Sequence, residues 1–273
     1  MTRHVSQFAS LLFGLLLPLA PLAAQADKPD PSAKPAKEEI KPDKEVAEKL
    51  DQLKDIVNDK KFARDGEGLD VITVLVKKWQ EGLNDKDKKE VVKGIEGAMT
   101  KGKLRPADKA QLYIGAATAL GELGKDGSES LQSVFDDKRF PEKEEWVPFR
   151  AEVLKALGKT KDEARIKFLI KVARHHHEAQ LEAAAGEALG NFDESKEELR
   201  KEIVSNLLIR YGEIDSRARQ LDPADIEAQN MQKRRNVISG KWNETLRRMT
   251  GEAFHEYPEW NEWFNKNKNK AWK

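Results

Sequence analysis

Residues 178–192 read EAQLEAAAGEALGNF. Leu181, Ala184, Ala185, Ala188, Leu189 and Phe192 stand at offsets 0, 3, 4, 7, 8 and 11, which is one face of a helix with 3.6 residues per turn. Alanines on that face let a neighbouring helix approach closely, and the leucines fill the space between layers. The glycine after the last turn is expected to take the left-handed conformation, which ends a helix without Cβ strain.

The closing tripeptide of this stretch recurs. Ala-Leu-Gly stands at 119–121, 156–158 and 188–190, with its glycines 37 and 32 residues apart. Gly82 lies 39 residues before the first of them and is read as the end of a degenerate earlier copy. Each tripeptide closes a helix, and a charged turn and another helix follow. One helix pair cannot bury its own apolar stripe, so pairs must stack. A two-helix period of this size is the mark of a solenoid.

Outward from the repeat the same periodicity continues. Val46, Leu50, Leu53 and Val57 mark one face, and so do Ile72, Leu75, Val76 and Trp79. The β-branched run Val71–Val76 invites a strand. A lone strand cannot satisfy its backbone, so a helix is expected there. Further stripes fall at Val91, Ile95, Ala98 and Met99, and at Leu112, Ala116, Ala119, Leu120 and Leu123. A short helix is expected near 127–136. Trp146, Phe149, Val153, Ala156 and Leu157 follow, then Ile166, Leu169, Ile170 and Ala173, and finally Leu199, Ile203, Leu207 and Tyr211. Pro106 reads as a first-turn residue. Thr160-x-x-Glu163 and Ser195-x-x-Glu198 read as capping boxes, and Asp222-Pro223 as a cap with proline after it.

These stretches resemble the HEAT-repeat family in its exported bacterial, HEAT-like form. The matching residues are Ala116-Ala117-Thr118-Ala119-Leu120-Gly121, Ala151-Glu152-Val153-Leu154-Lys155-Ala156-Leu157-Gly158 and Ala183-Ala184-Ala185-Gly186-Glu187-Ala188-Leu189-Gly190. The resemblance covers about residues 86–211 and fades towards the N-terminus. The Asp-Pro typical of the turn between paired helices is missing, and His175-His176-His177 occupies that region. The expected fold is all-α: an α-solenoid of about five stacked antiparallel helix pairs over 43–241, with an aromatic C-terminal cap and basic tail over 242–273. Four of the six tryptophans fall in those last 32 residues. The string LRRMTGEAFHEYPEWNEWFNKNK looks like the terminal segment of exported HEAT-like proteins. Large rings there would cover the open end of the stack; a carbohydrate or peptide platform is the alternative.

The N-terminus reads as an export signal. Arg3 precedes the apolar run Phe8–Leu17, and Ala24-Gln25-Ala26 supplies a small-x-small site, so cleavage is expected after Ala26. A membrane span would need about 20 apolar residues, and Pro18 and Pro21 interrupt this one. No integral membrane segment is expected after cleavage. Residues 27–42 hold four prolines and almost nothing apolar, which reads as a disordered linker.

Composition narrows the chemistry. With no cysteine, lipid thioethers, disulfides and thiol nucleophiles are excluded. The chain carries 49 basic and 48 acidic side chains, and the proposed leader holds one of the basic ones. The remainder is 48 against 48, which gives no general pull towards nucleic acid or anionic lipid. Charged residues make up 36% of the chain and aromatics 7%, as suits helices with one buried stripe and a broad wet face.

Sequence motifs point to no chemistry. No P-loop, nucleophile elbow or dinucleotide fingerprint is present. On a helix His175, His176 and His177 would point about 100° apart and could not converge on one ion, and no second histidine stands at the i+4 spacing of a helical metal pair. In a turn they offer at most a weak site, and a polar, solvated turn is expected. Lys266, Lys268, Lys270 and Lys273 read as a solvated end. The expected function is a non-catalytic, protein-binding scaffold, periplasmic or secreted, without cofactor, metal or catalytic residue. The alternatives are an unrecognised metal-dependent or hydrolytic enzyme and a passive structural protein of the envelope.

Overall fold

The periodic stripes become helices in the computed structural model, which describes residues 41–220 and 225–272. These form eleven α-helices: α1 Lys44–Val57, α2 Asp65–Gly82, α3 Asp85–Thr100, α4 Gln111–Glu122, α5 Lys125–Asp136, α6 Val147–Lys159, α7 Ile166–His175, α8 Ala179–Leu189, α9 Glu197–Gln220, α10 Ile226–Thr250 and α11 Tyr257–Asn267. Four single-turn 3-10 segments join some of them, and no strand occurs among the described residues. The run Val71–Val76 is helical, within α2. The leader, most of the linker and the pair Asp222-Pro223 lie outside the described residues. No described helix is long and apolar enough to cross a membrane.

Local chemistry sets the ends. Asp43 caps α1 by accepting from the backbone N–H groups of Glu45 and Val46, and Asn84 caps α3 through Asp87 N–H. Two expected caps are displaced. The Thr160 hydroxyl donates back to Leu157 O, and Asp162 caps the next turn through Ala164 N–H. The helix at 197 begins two residues past Ser195, outside the cap position. Pro106 precedes a 3-10 turn at Ala107–Lys109 rather than opening α4.

The helices associate in pairs: α1 with α2, α3 with α4, α5 with α6, α7 with α8, and α9 with α10. The second members also pack in succession, α2 on α4, α4 on α6, α6 on α8 and α8 on α10. Among the first members, α1 packs on α3, α3 on α5 and α7 on α9, and α11 covers α9. The expected stripes form the core: Ile72, Leu75, Val76, Val91, Ile95, Leu120, Val153, Leu157, Leu181 and Leu189 are all buried. Leu199 and Trp79 are only partly buried.

The repeated glycines have a different role from the expected one. None of Gly121, Gly158 and Gly190 has a positive φ. They mark close approach between successive helices. A Cβ on Gly121 would stand 2.9 Å from the carbonyl oxygen of Ala156, and one on Gly158 would stand 2.5 Å from that of Ala188. Gly190 meets Thr245 of α10 in the same way, at 2.9 Å from Oγ1. The glycine of each tripeptide thus receives the alanine of the next, and Thr245 takes the alanine's place in the last step. The left-handed residues come three positions later, at Gly124 and, with a side chain, at Lys161.

Helices α9 and α10 run 24 and 25 residues, longer than any helix before them. The aromatic segment is joined to the repeats through α10, which runs unbroken across residues 241 and 242. Trp242 is fully buried against Gly186, whose missing Cβ makes room for the indole, and Trp242 Nε1 donates to Glu182 O. Trp260 is also fully buried; it packs edge-on against Phe254 and donates to Asn243 Oδ1 at 3.0 Å.

Candidate functional site

The succession α2–α4–α6–α8–α10 leaves two hollows on its exposed side. One, between α2 and α4, is walled by Thr73, Lys77, Gln80, Thr118 and Glu122. The other is floored by Ala156 and Ala188 and walled by Thr118, Glu152, Lys155, Glu187, Asn191 and Arg248. Thr118 belongs to both. The floor is low because the Gly–Ala contacts draw the backbones together at a line of small side chains. The walls are high because long charged residues flank that line. Opposite charges alternate along it: Lys155 pairs with Glu152 at 2.7 Å, Lys241 with Glu187 at 2.7 Å and Arg248 with Asp193 at 2.9 Å. These pairs are half-exposed and contribute modestly to stability, and their outer edges face solvent, where a partner can meet them.

The histidine run forms a second place of interest. Helix α7 ends at His175, and Glu178 is the N-cap of α8. His176 and His177 occupy the turn, so the helical divergence expected of neighbouring histidines does not apply. Their rings stack, with centroids 4.7 Å apart and planes at 22°. His175 remains exposed on α7 and takes no part.

Both rings face Glu142, which lies in the connection between α5 and α6. His176 Nε2 is 3.7 Å from Glu142 Oε1 and His177 Nδ1 is 3.6 Å from Oε2. Arg150 of α6 reaches the same Oε1 with Nη2 at 3.4 Å. It is 4% exposed, packs its guanidinium over the Phe135 ring and donates from Nη1 to Phe135 O and Phe140 O. From the other side Arg234 of α10 donates to the carbonyls of His176 and His177 and pairs with Glu182. Glu182 is fully buried, and Arg210 of α9 approaches its other oxygen at 2.8 Å. The turn is therefore tied directly to α10, and Glu182 at the start of α8 ties that helix to α9 and α10.

Two histidines and a carboxylate are a familiar metal-ligand set, and their donor atoms here lie within 4.8 Å of one another. The hydrogen bonding opposes that use. His176 Nδ1 accepts from the backbone N–H of Glu178 at 3.0 Å. The neutral ring must then carry its proton on Nε2, the atom aimed at Glu142. Nε2 presents a donor rather than a lone pair, and the Arg150 cation sits beside the same carboxylate. Burial pushes the His176 imidazole below its ordinary pKa, with Glu142 pulling the other way, so the ring is neutral at pH 7.

Sequence reasoning missed Glu142 and Arg150. Glu142 lies 34 residues before His176 in a charged stretch with nothing to single it out. Arg150 did carry a signal: it stands four residues after Trp146 and three before Val153, a charge placed within an apolar stripe. A comparison with protein families, with characterised proteins and with solved structures gives no match for this chain.

Proposed function

We propose that this protein is an exported, HEAT-like α-solenoid scaffold, acting in the cell envelope or outside the cell, that holds an extended segment of a protein partner along the α2–α4–α6–α8–α10 face. The observation that carries the reading is the Gly–Ala register. It occurs twice, Gly121 on Ala156 and Gly158 on Ala188, with Gly190 on Thr245 as the third step, and its alanines floor the hollow walled by Glu152, Lys155, Glu187 and Arg248. A floor of backbone and small side chains admits a partner's main chain, and alternating wall charges select its side chains. In this reading the aromatic segment closes the end of the stack, as the burial of Trp242 and Trp260 supports. Export rests on the N-terminal leader.

The test places bulk where the two hollows meet. Thr118→Arg, and separately Lys155→Glu with Arg248→Glu, should abolish capture of the partner that the unmodified chain retains, with far-UV circular dichroism unchanged. Equal capture by all three proteins contradicts the reading.

A second reading, passive assembly, has one observation in its favour. Ile226 is 75% exposed and Val237, eleven residues on and so on the same side of α10, is 39% exposed. Sedimentation velocity distinguishes the two: self-association that Ile226→Ser removes favours assembly.

A further inference from the structure

The histidine turn carries an inference separate from the scaffold reading. Arg150 is a buried cation whose nearest carboxylate oxygen stands at 3.4 Å, beyond the roughly 2.7–2.9 Å of a good charge-assisted hydrogen bond. Its Nε is buried and without a hydrogen-bond partner, as is Nε2 of His176. The His176 side chain is only 9% exposed. Two nearly buried donor side chains thus converge on one place, with His177 beside them, and the carboxylate that occupies it fits loosely. Glu142 itself is 54% exposed and belongs to a connection rather than a helix, so its side chain can leave at small cost. A buried charge with an imperfect partner is expensive, and a better-fitting anion would recover part of that cost.

We propose that Arg150, His176 and His177 form a receptor for one carboxylate group of a ligand, and that Glu142 fills it as an internal placeholder in the free chain. Around Glu142 the Arg150 and His176 donors lie nearest one carboxylate oxygen, at 3.4 and 3.7 Å, and His177 Nδ1 lies 3.6 Å from the other. The tautomer of His176, fixed by Glu178 N–H, points a proton into the site. The carbonyl contacts of Arg234 hold the turn in place. An acidic side chain or a free chain terminus of a polypeptide, or a small free carboxylic acid, each supplies the group.

The experiment follows the imidazole and Arg150 Nε resonances by NMR while sodium acetate is titrated into the unmodified chain and into Glu142→Ala, with sodium chloride at matched ionic strength as reference. Removing the placeholder should give saturable acetate shifts at His176, His177 and Arg150, about tenfold tighter than in the unmodified chain. That ratio corresponds to about 1.4 kcal/mol. Glu142→Ala with Arg150→Gln should lose the shifts. An acidic hexapeptide with a free carboxylate, compared with its amidated form, separates a chain terminus from side chains. A thermal midpoint for Glu142→Ala close to that of the unmodified chain shows that the fold persists. No saturable shift in Glu142→Ala overturns the proposal. So does a site that takes zinc in the unmodified chain, loses it in Glu142→Ala and ignores acetate in both, since that is a metal centre.

Discussion

Gly158 of α6 lies so close to Ala188 of α8 that a Cβ on the glycine would stand 2.5 Å from the alanine's carbonyl oxygen and 2.7 Å from its Cα. Those are backbone atoms, so relief requires two helices to separate. Gly158→Ala should destabilise the protein by about 3 kcal/mol, at the upper end of overpacking costs. Gly240 is the control: it is exposed in α10, and a Cβ there meets nothing within 4 Å. Gly240→Ala should stabilise by about 0.5–1 kcal/mol through helix propensity. Urea unfolding of both variants checks the pair, and a neutral Gly158→Ala would remove the close contact from the account.

Leu189 is fully buried between α8 and its neighbours. Leu189→Ala should cost about 2–5 kcal/mol, from lost burial together with the cavity left behind. A loss below about 0.5 kcal/mol, the level of an ordinary surface substitution, would place Leu189 outside the core.

Glu182 joins three helices through Arg210 and Arg234 while fully buried. Glu182→Ala removes the acceptor that Arg210 and Arg234 share, leaving Arg210 with Glu213 and Arg234 with the His176 and His177 carbonyls, and should cost about 3 kcal/mol. Replacing Glu182, Arg210 and Arg234 together by methionine should recover much of that loss. The three proteins compared by chemical unfolding separate a network retained for stability from one retained for orienting α8, α9 and α10.

Acid should weaken the α7–α8 turn. Burial holds His176 below its ordinary value of 6.5 in the folded chain, so the unfolded chain binds the extra proton first. The stability this neutral ring contributes is complete above 6.5 and drains as pH falls through the folded-state value. Protonation of Nδ1 also sets it against Glu178 N–H. His176→Asn places Oδ1 where Nδ1 stands and does not titrate. Thermal midpoints measured between pH 7.5 and 5 should fall more steeply for the unmodified chain than for His176→Asn; parallel curves would contradict the assignment.

The helical stripes were legible because each is a local pattern of four to six apolar positions, and almost all of those positions are buried. The role of the glycines was not. A left-handed φ and a close helix approach both demand a missing Cβ, and only the neighbouring helix, 30 or more residues away in sequence, decides between them. The length of α9 and α10 was hidden for a related reason. Their far halves bury Asp215 against Arg219 and Arg235, so the inward face is partly charged and gives no apolar stripe. The histidine turn shows the same limit: its partners Glu142 and Arg150 belong to the preceding pair, and no spacing within 171–181 announces them.

Surface labelling tests the scaffold most directly. Lysine acylation read by mass spectrometry, on the free chain and on the chain with its captured partner, maps the covered face. Lys77, Lys155, Lys159 and Lys241 should lose reactivity together, while Lys89 of α3 and Lys138 of the α5–α6 connection keep theirs. Protection confined to Lys89, Lys138 or other lysines away from the α2–α4–α6–α8–α10 face would contradict the scaffold reading.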